Sequence, residues 1–256
     1  MNEHTALKPV SGHSTKGVRS FFGPIIGSFY ILVFSLAAAL PVGAQNDVHV
    51  GRNLFDHLLV KSKEAIPRID RSEIEGSPYL NDSFTLAMVL TTDAIVHNLP
   101  VKYDIYNDLM EFKDRDQVFL LDPSPKIQKI LLEKQTFVVE PYDHDGKFGP
   151  GYFILLDSVK VKLLQKKVIR FQELQPAKAL QTQNTPAKYV PMPDKFYYRI
   201  GTEEAKPINN LKKMIAQFPS HQKALLAFAN RRNLGKTKED LLQLWEYYHG
   251  LEERPN

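Results

Sequence analysis

Val159-Lys160-Val161-Lys162-Leu163 alternates apolar and charged residues without a break, and a period of two is the mark of a strand with one face on a core and the other toward water. This spacing places Val159, Val161 and Leu163 inward and both lysines in solvent. Lysine along a strand also discourages pairing by another chain, so the segment suits an unpaired sheet edge. The same strand is expected to continue to Phe171.

Working back from it, short apolar runs recur at regular spacing: Tyr152 to Leu156, Thr136 to Val139, Ile127 to Leu132, Val118 to Leu121 and Leu109 to Phe112. Turn formers separate them, among them Asp122-Pro123-Ser124-Pro125, Asp114-Arg115-Asp116 and Asn107-Asp108. Further back, Phe84 to Thr91 and Ile95 to Tyr106 form a predicted hairpin across Thr92-Asp93, with Leu99, Val101, Tyr103 and Ile105 on one side. No helical period interrupts the series, which argues against a parallel α/β sheet. The expected fold is mainly β with an α+β ending: an antiparallel meander over residues 84–175, curled or closed into a partly open barrel, then a small bundle of three short helices.

Outside that meander the chain changes character. Residues 45–83 read as an irregular lead-in with one short helix, in which Leu54, Phe55, Leu58, Leu59 and Val60 make an apolar face before Pro67. Residues 176–195 carry Pro176, Pro186, Pro191 and Pro193 among Gln, Thr, Asn and Ala, the composition of a linker or exposed loop. Residues 196–256 begin with a strand, Phe196 to Ile200, and then take up helical spacing. Pro207 suits a first helical turn, with Ile208, Leu211, Ile215 and Phe218 on one face. Ser220 is positioned to cap a second helix with Leu225, Phe228 and Ala229 inward, ending at Leu234-Gly235. Thr237 and Asp240 have the spacing of a capping box for a third, along which Leu241, Leu244, Trp245 and Tyr248 align.

The first 44 residues read as a secretory signal peptide. Lys16 and Arg19 precede an apolar stretch from Phe21 to Leu40, then Pro41 and small residues at Val42 and Ala44, so cleavage is expected between Ala44 and Gln45. An uncleaved anchor is the competing reading, but Gly23, Pro24 and Gly27 shorten the uninterrupted apolar part to Ser28–Leu40, well below the ~20 residues of a span. Every later apolar run is broken by charge, so no transmembrane span is expected in the mature chain. The expected location is outside the cytoplasm: periplasmic, attached to the outer membrane, or extracellular.

The 256-residue chain has a formal net charge of +4 and no cysteine, and about half of the positive excess falls within the first 44 residues. The remainder is nearly neutral, which gives no basic field for nucleic acid. Without cysteine there are no disulfides, thiol nucleophiles, zinc-thiolate or iron–sulfur ligands, and no lipid attachment at a cysteine after the apolar stretch. An exported chain of this kind depends on its core, and about 210 mature residues suffice for one or two. No cofactor is implied.

Two acidic segments are candidate sites. Tyr103-Asp104-Ile105-Tyr106-Asn107-Asp108-Leu109-Met110-Glu111 gathers three carboxylates around a turn, and a glycosidase needs two held across a bond. Asp104, Asp108 and Glu111 are therefore the candidate catalytic residues, against the plainer reading of an acidic hairpin. Asp143-His144-Asp145-Gly146 begins like a calcium loop, so Asp143 and Asp145 are the candidate metal ligands. The loop lacks the later oxygen ligands, and an Asp-Gly hairpin turn explains the same residues. Gly235-Lys236-Thr237 ends like a phosphate loop without its beginning. The histidines at 57, 97, 144, 221 and 249 show neither zinc spacing nor a nucleophile elbow, and Trp245, Tyr247 and Tyr248 recur at the spacing of a helix core.

Three segments carry a resemblance: Gly76-Ser77-Pro78-Tyr79-Leu80-Asn81-Asp82-Ser83-Phe84, Val101-Lys102-Tyr103-Asp104-Ile105-Tyr106-Asn107-Asp108-Leu109-Met110-Glu111-Phe112, and Asp240-Leu241-Leu242-Gln243-Leu244-Trp245-Glu246-Tyr247-Tyr248. Together they resemble uncharacterised exported proteins common in Bacteroidota-type bacteria. The resemblance spans most of the mature chain and implies an envelope or secreted location and no particular reaction. The leading expectation is a non-enzymatic envelope protein, a binding or accessory module with an envelope protein as partner. The alternatives are a hydrolase of envelope glycan or peptide, needing two of Asp104, Asp108 and Glu111 in one cleft, and a carrier with an apolar cavity lined by Phe84, Val101, Phe112 and Phe137.

Overall fold

The computed structural model describes residues 60–62, 74–176 and 184–253, all within the unit formed by residues 47–256. The signal peptide, its Ala44–Gln45 junction and the predicted helix over 54–59 lie outside the described residues. Val60, the last residue of that helical face, instead opens a strand.

Eleven strands of the described residues form one antiparallel sheet: β1 Val60–Ser62, β2 Thr85–Thr91, β3 Ile95–Asp104, β4 Leu109–Asp114, β5 Gln117–Leu121, β6 Ile127–Leu132, β7 Gln135–His144, β8 Lys147–Asp157, β9 Val161–Gln172, β10 Lys188–Ile200 and β11 Lys206–Pro207. Their order is β1-β5-β4-β3-β2-β6-β7-β8-β9-β10-β11, so the sheet is open and not closed. Three short helices follow: α1 Leu211–Ile215, α2 Gln222–Arg232 and α3 Lys238–Glu252. The β2–β3 hairpin pairs as the alternation predicts, with Thr85 opposite Val101 and Ala87 opposite Leu99.

The segment from Val159 to Leu163 behaves differently from its sequence reading. Val161 and Leu163 are buried, but Val159 is 70 % exposed in the turn before the strand. β9 pairs with β8 on one side and β10 on the other, so it is an interior strand and not an edge. Interior position explains why both of its faces fill: Leu164 and Lys166 are buried on the face opposite Leu163 and Gln165.

The linker over 176–195 also needs correction, because β10 starts at Lys188 and pairs with β9 from there to Ile200. Tyr189 donates its N–H to the Glu75 carbonyl on the side away from β9. Alternate residues point the same way, so Pro191 removes a donor that β9 does not use, and Pro193 falls inside the register shift between Met192 and Lys195. Prolines that look like loop formers in sequence therefore sit on a long strand and blunt its outer edge.

At the C-terminus, Pro207 lies in β11, and the first helix starts at Leu211 after Asn210, whose side chain accepts from the Lys213 N–H at 3.0 Å. His221, not Ser220, occupies the cap of α2, and Asn233 closes that helix with φ +51. Thr237 caps α3, its hydroxyl accepting from the Asp240 N–H at 3.2 Å. Val161, Leu163 and Tyr198 of the sheet pack with Met214, Ile215, Phe218, Leu225, Leu241, Leu244 and Trp245 of the helices, so the bundle covers one face of β9 and β10. A second cluster unites β2 to β8, with Tyr103, Phe112, Phe137 and Tyr152 essentially without solvent contact.

Candidate functional site

The acidic hairpin β3–β4 divides its carboxylates between two sides. Lys102 stands opposite Glu111 and Asp104 opposite Leu109, so Lys102, Asp104 and Glu111 share one face, while Tyr103 and Met110 share the other. Asp104 is buried and fastens the turn: its two oxygens accept from the Asn107 N–H at 3.0 Å and the Asn107 side-chain amide at 2.9 Å. Glu111, also buried, accepts from the Tyr79 hydroxyl at 3.1 Å. The Tyr79 ring lies 3.6 Å from the Lys102 ammonium, and its segment is held to β3 by bonds from Leu80 N–H to the Tyr103 carbonyl and from Ile105 N–H to the Pro78 carbonyl.

Asp108 takes the other direction. Its φ of +54 turns the chain at the hairpin tip and delivers the carboxylate into a fork in the sheet. β8 and β9 pair only between Ile154–Asp157 and Gln165–Leu163, and then separate as β9 continues along β10. In the fork, Tyr152 has no β9 partner for its backbone groups. Asp108 Oδ1 receives the Tyr152 N–H at 3.4 Å, and Lys166 Nζ donates to the Tyr152 carbonyl at 2.9 Å. Asp108 and Lys166 then meet each other at 2.5 Å, and the Tyr103 hydroxyl donates to Asp108 Oδ1 at 2.7 Å. A lysine and an aspartate thus supply the hydrogen bonds that a ladder would have made.

The walls of the fork bury Lys166 more deeply than Asp108. Lys166 is 8 % and Asp108 21 % exposed, and the ammonium lies 4.7 Å from the centre of the Tyr142 ring and 4.6 Å from that of Phe153. Gly151 makes the approach possible: a Cβ there would sit 2.4 Å from Tyr142 Cε1, 2.7 Å from Asp108 Oδ2 and 3.0 Å from Lys166 Nζ. Burial lowers the Lys166 pKa, while the neighbouring Asp108 carboxylate pulls it back up. The Tyr103 hydroxyl is pushed well above its ordinary range, first by burial and then by Asp108, and burial does the same to Tyr152 and Tyr142.

Lys162, one turn of the pleat from Leu164, reaches across to Glu140, which is 1 % exposed and held by Lys162 at 2.6 Å and by Arg199. Beside this pair runs an open groove of roughly 560 Å³ lined by Pro125, Val138, Phe148 and Pro150, and Phe148 is 68 % exposed.

Asp143 and Asp145 belong to the β7–β8 turn. Asp143 Oδ1 accepts from the Gly146 N–H at 2.7 Å, and Asp145 and Gly146 have φ of +51 and +82, the pair of left-handed residues a tight hairpin requires. Among the described residues no group of three or more His, Asp or Glu side chains has the arrangement to hold a metal. His144 is exposed near Asp145, His221 bonds Glu252 at 2.6 Å, and His249 lies 3.3 Å from Asp157. Trp245 is core, with its indole N–H on the Val161 carbonyl at 2.9 Å.

Asp108 is the one member of the predicted trio that enters the fork; Asp104 and Glu111 stay on the opposite face of the hairpin. The sequence patterns alone do not mark Lys166 or Gly151 as site residues. The signal for Lys166 was its place beside Leu163-Leu164 in a strand with two apolar faces; nothing near Gly151 in sequence marked it as an approach point. No family model, no curated protein and no solved structure matches this chain. Among the described residues no helix is long and apolar enough to cross a membrane.

Proposed function

We propose that this chain is exported, is cleaved between Ala44 and Gln45, and acts in the cell envelope as a non-enzymatic binding or accessory module. The observation that carries the non-enzymatic part is that the chain's own groups engage all three carboxylates of the acidic hairpin. A glycosidase of the usual kind needs two carboxylates free to face one bond, whereas Asp104 is spent on the Asn107 turn, Glu111 takes the Tyr79 hydroxyl on that same face, and Asp108 pairs with Lys166 on the other side. The sequence from Lys16 to Ala44 supports export, as does the resemblance to exported Bacteroidota-type proteins.

In this reading the open sheet curls over its larger core, since Tyr152 of β8 donates its hydroxyl to the Leu121 carbonyl of β5 at 2.6 Å and Tyr103 of β3 packs edge-on against Phe137 of β7. The curl leaves the Phe148 groove outward as the binding surface. Apolar side chains beside a Lys162–Glu140–Arg199 floor suit a protein partner with an apolar anchor and a carboxylate.

The test is to express the full chain in a bacterium with an outer membrane, fractionate it, and determine the N-terminus and the proteins crosslinked to it. The expected product starts at Gln45 outside the cytoplasm and crosslinks to one envelope protein, a link that Phe148→Asp abolishes. A chain that keeps Met1 in the cytoplasm overturns the export reading. Turnover of an envelope glycan or peptide that is lost in Asp104→Asn or Glu111→Gln overturns the non-enzymatic one.

A further inference from the structure

We propose that Lys166 and Asp108 join covalently, the folded chain forming an amide between Lys166 Nζ and Asp108 Cγ with loss of one water. The two groups come from positions 58 apart in sequence and meet at 2.5 Å in a fork that neither can leave without breaking its bonds to Tyr152. With one carboxyl C–O bond beyond that contact, Nζ is at most roughly 3.7 Å from Cγ, close to the separation of a reacting pair. Fixing two groups in this way replaces a bimolecular condensation by a unimolecular one.

One proton transfer separates the ion pair from its reactive form. An ammonium is no nucleophile and a carboxylate is a poor electrophile, so the pair must pass one proton from Nζ to Oδ2, along the hydrogen bond they already share. Burial among Tyr142, Phe153 and Tyr152 lowers the Lys166 pKa and so favours its neutral amine, an effect that the Asp108 carboxylate opposes. The amine lone pair then attacks Cγ, forming the C–N bond. The Tyr103 hydroxyl, 2.7 Å from Oδ1, donates to the oxygen on which charge develops. The C–Oδ2 bond breaks, and Oδ2 leaves as water, carrying the proton already received and a second from nitrogen. The remaining N–H and the carbonyl Oδ1 complete the amide, so no oxidant, metal or cofactor is consumed.

Gly151 and Tyr103 have separate roles here. Gly151 lets the two side chains touch, and Tyr103 is a positioning residue that accelerates the step without entering the product. In a chain without cysteine, such a bond ties the β3–β4 tip to β9 where a disulfide is not available.

The test is the intact mass of the purified full chain, compared with the mass its sequence predicts for the N-terminus observed, together with digestion and fragmentation. The expected wild-type mass is lower by one water, with a branched peptide linking the Asp108 and Lys166 segments. Lys166→Arg, which keeps the charge pair, is expected at its full sequence mass. Tyr103→Phe is expected to lose the water more slowly after synthesis and to end at the same product. Wild-type protein that unfolds cooperatively yet has its full sequence mass overturns the proposal. So does a water loss that maps to a cyclic imide at Asp145-Gly146.

Discussion

Trp245→Phe tests how the helices are fastened to the sheet. The β8 ladder along β9 ends at Leu163, so the Val161 carbonyl takes its donor from the Trp245 indole, at 2.9 Å and with the side chain 2 % exposed. Phenylalanine keeps the edge-on contact with Phe218 but supplies no donor. An orphaned buried carbonyl costs about 1–3 kcal/mol. The missing second ring empties on the order of 35 Å³, worth about 0.8 kcal/mol at ~24 cal/mol per Å³. The variant should therefore lose about 2–4 kcal/mol. Trp245 is the single tryptophan, so its fluorescence cannot serve both chains, and urea unfolding followed by far-ultraviolet circular dichroism is the assay. The midpoint should fall by about 1–2 M at an unchanged slope. A loss under about 0.5 kcal/mol would refute the reasoning, because it would mean that Val161 finds another partner at no cost.

Gly151→Ala places a methyl against Tyr142, Asp108 and Lys166 and should cost about 1–3 kcal/mol by overpacking, whereas Gly149→Ala, which meets nothing within 4 Å, should be neutral or slightly stabilising; equal effects in thermal melts would refute the close approach. Alkaline pH should destabilise the fold. Tyr103, Tyr152 and Tyr142 have folded pKa values raised by burial and Asp108, so above the unfolded value of about 10 the native state holds protons that the unfolded chain has released, and stability falls as pH rises. Tyrosinate absorbance should therefore rise together with loss of secondary structure, and complete titration near 10 with the fold intact would refute it.

The succession of strands was legible because each one announces itself locally. Leu99, Val101 and Tyr103 alternate, Asp145-Gly146 demands a tight turn, and Thr237 with Asp240 marks a helix start; each of these depends on neighbours within a few positions. The errors fell where a strand's environment is set from afar. Lys160 and Lys162 look like an edge until β10 is known to lie beyond them, and β10 was hidden because Pro191 and Pro193 resemble loop formers until the outward direction of their nitrogens is known. Alternation reports that a face is buried but not what buries it.

The site was less legible for the same reason. Asp104, Asp108 and Glu111 form one cluster in sequence, yet φ at Asp108 sends its carboxylate to the opposite side from the other two, and that angle has no sequence signal stronger than the tolerance of aspartate for it. Its partners come from β8 and β9, whose separation after Ile154 and Gln165 leaves the Tyr152 N–H and carbonyl without a ladder. Once the strands part, the Tyr152 N–H and carbonyl need a new acceptor and donor, and one aspartate with one lysine satisfies both while cancelling each other's charge. A lysine in the apolar phase of a buried strand is thus the trace that a fork leaves in a sequence. Its partner is identified by the backbone groups that the fork strands, not by proximity along the chain.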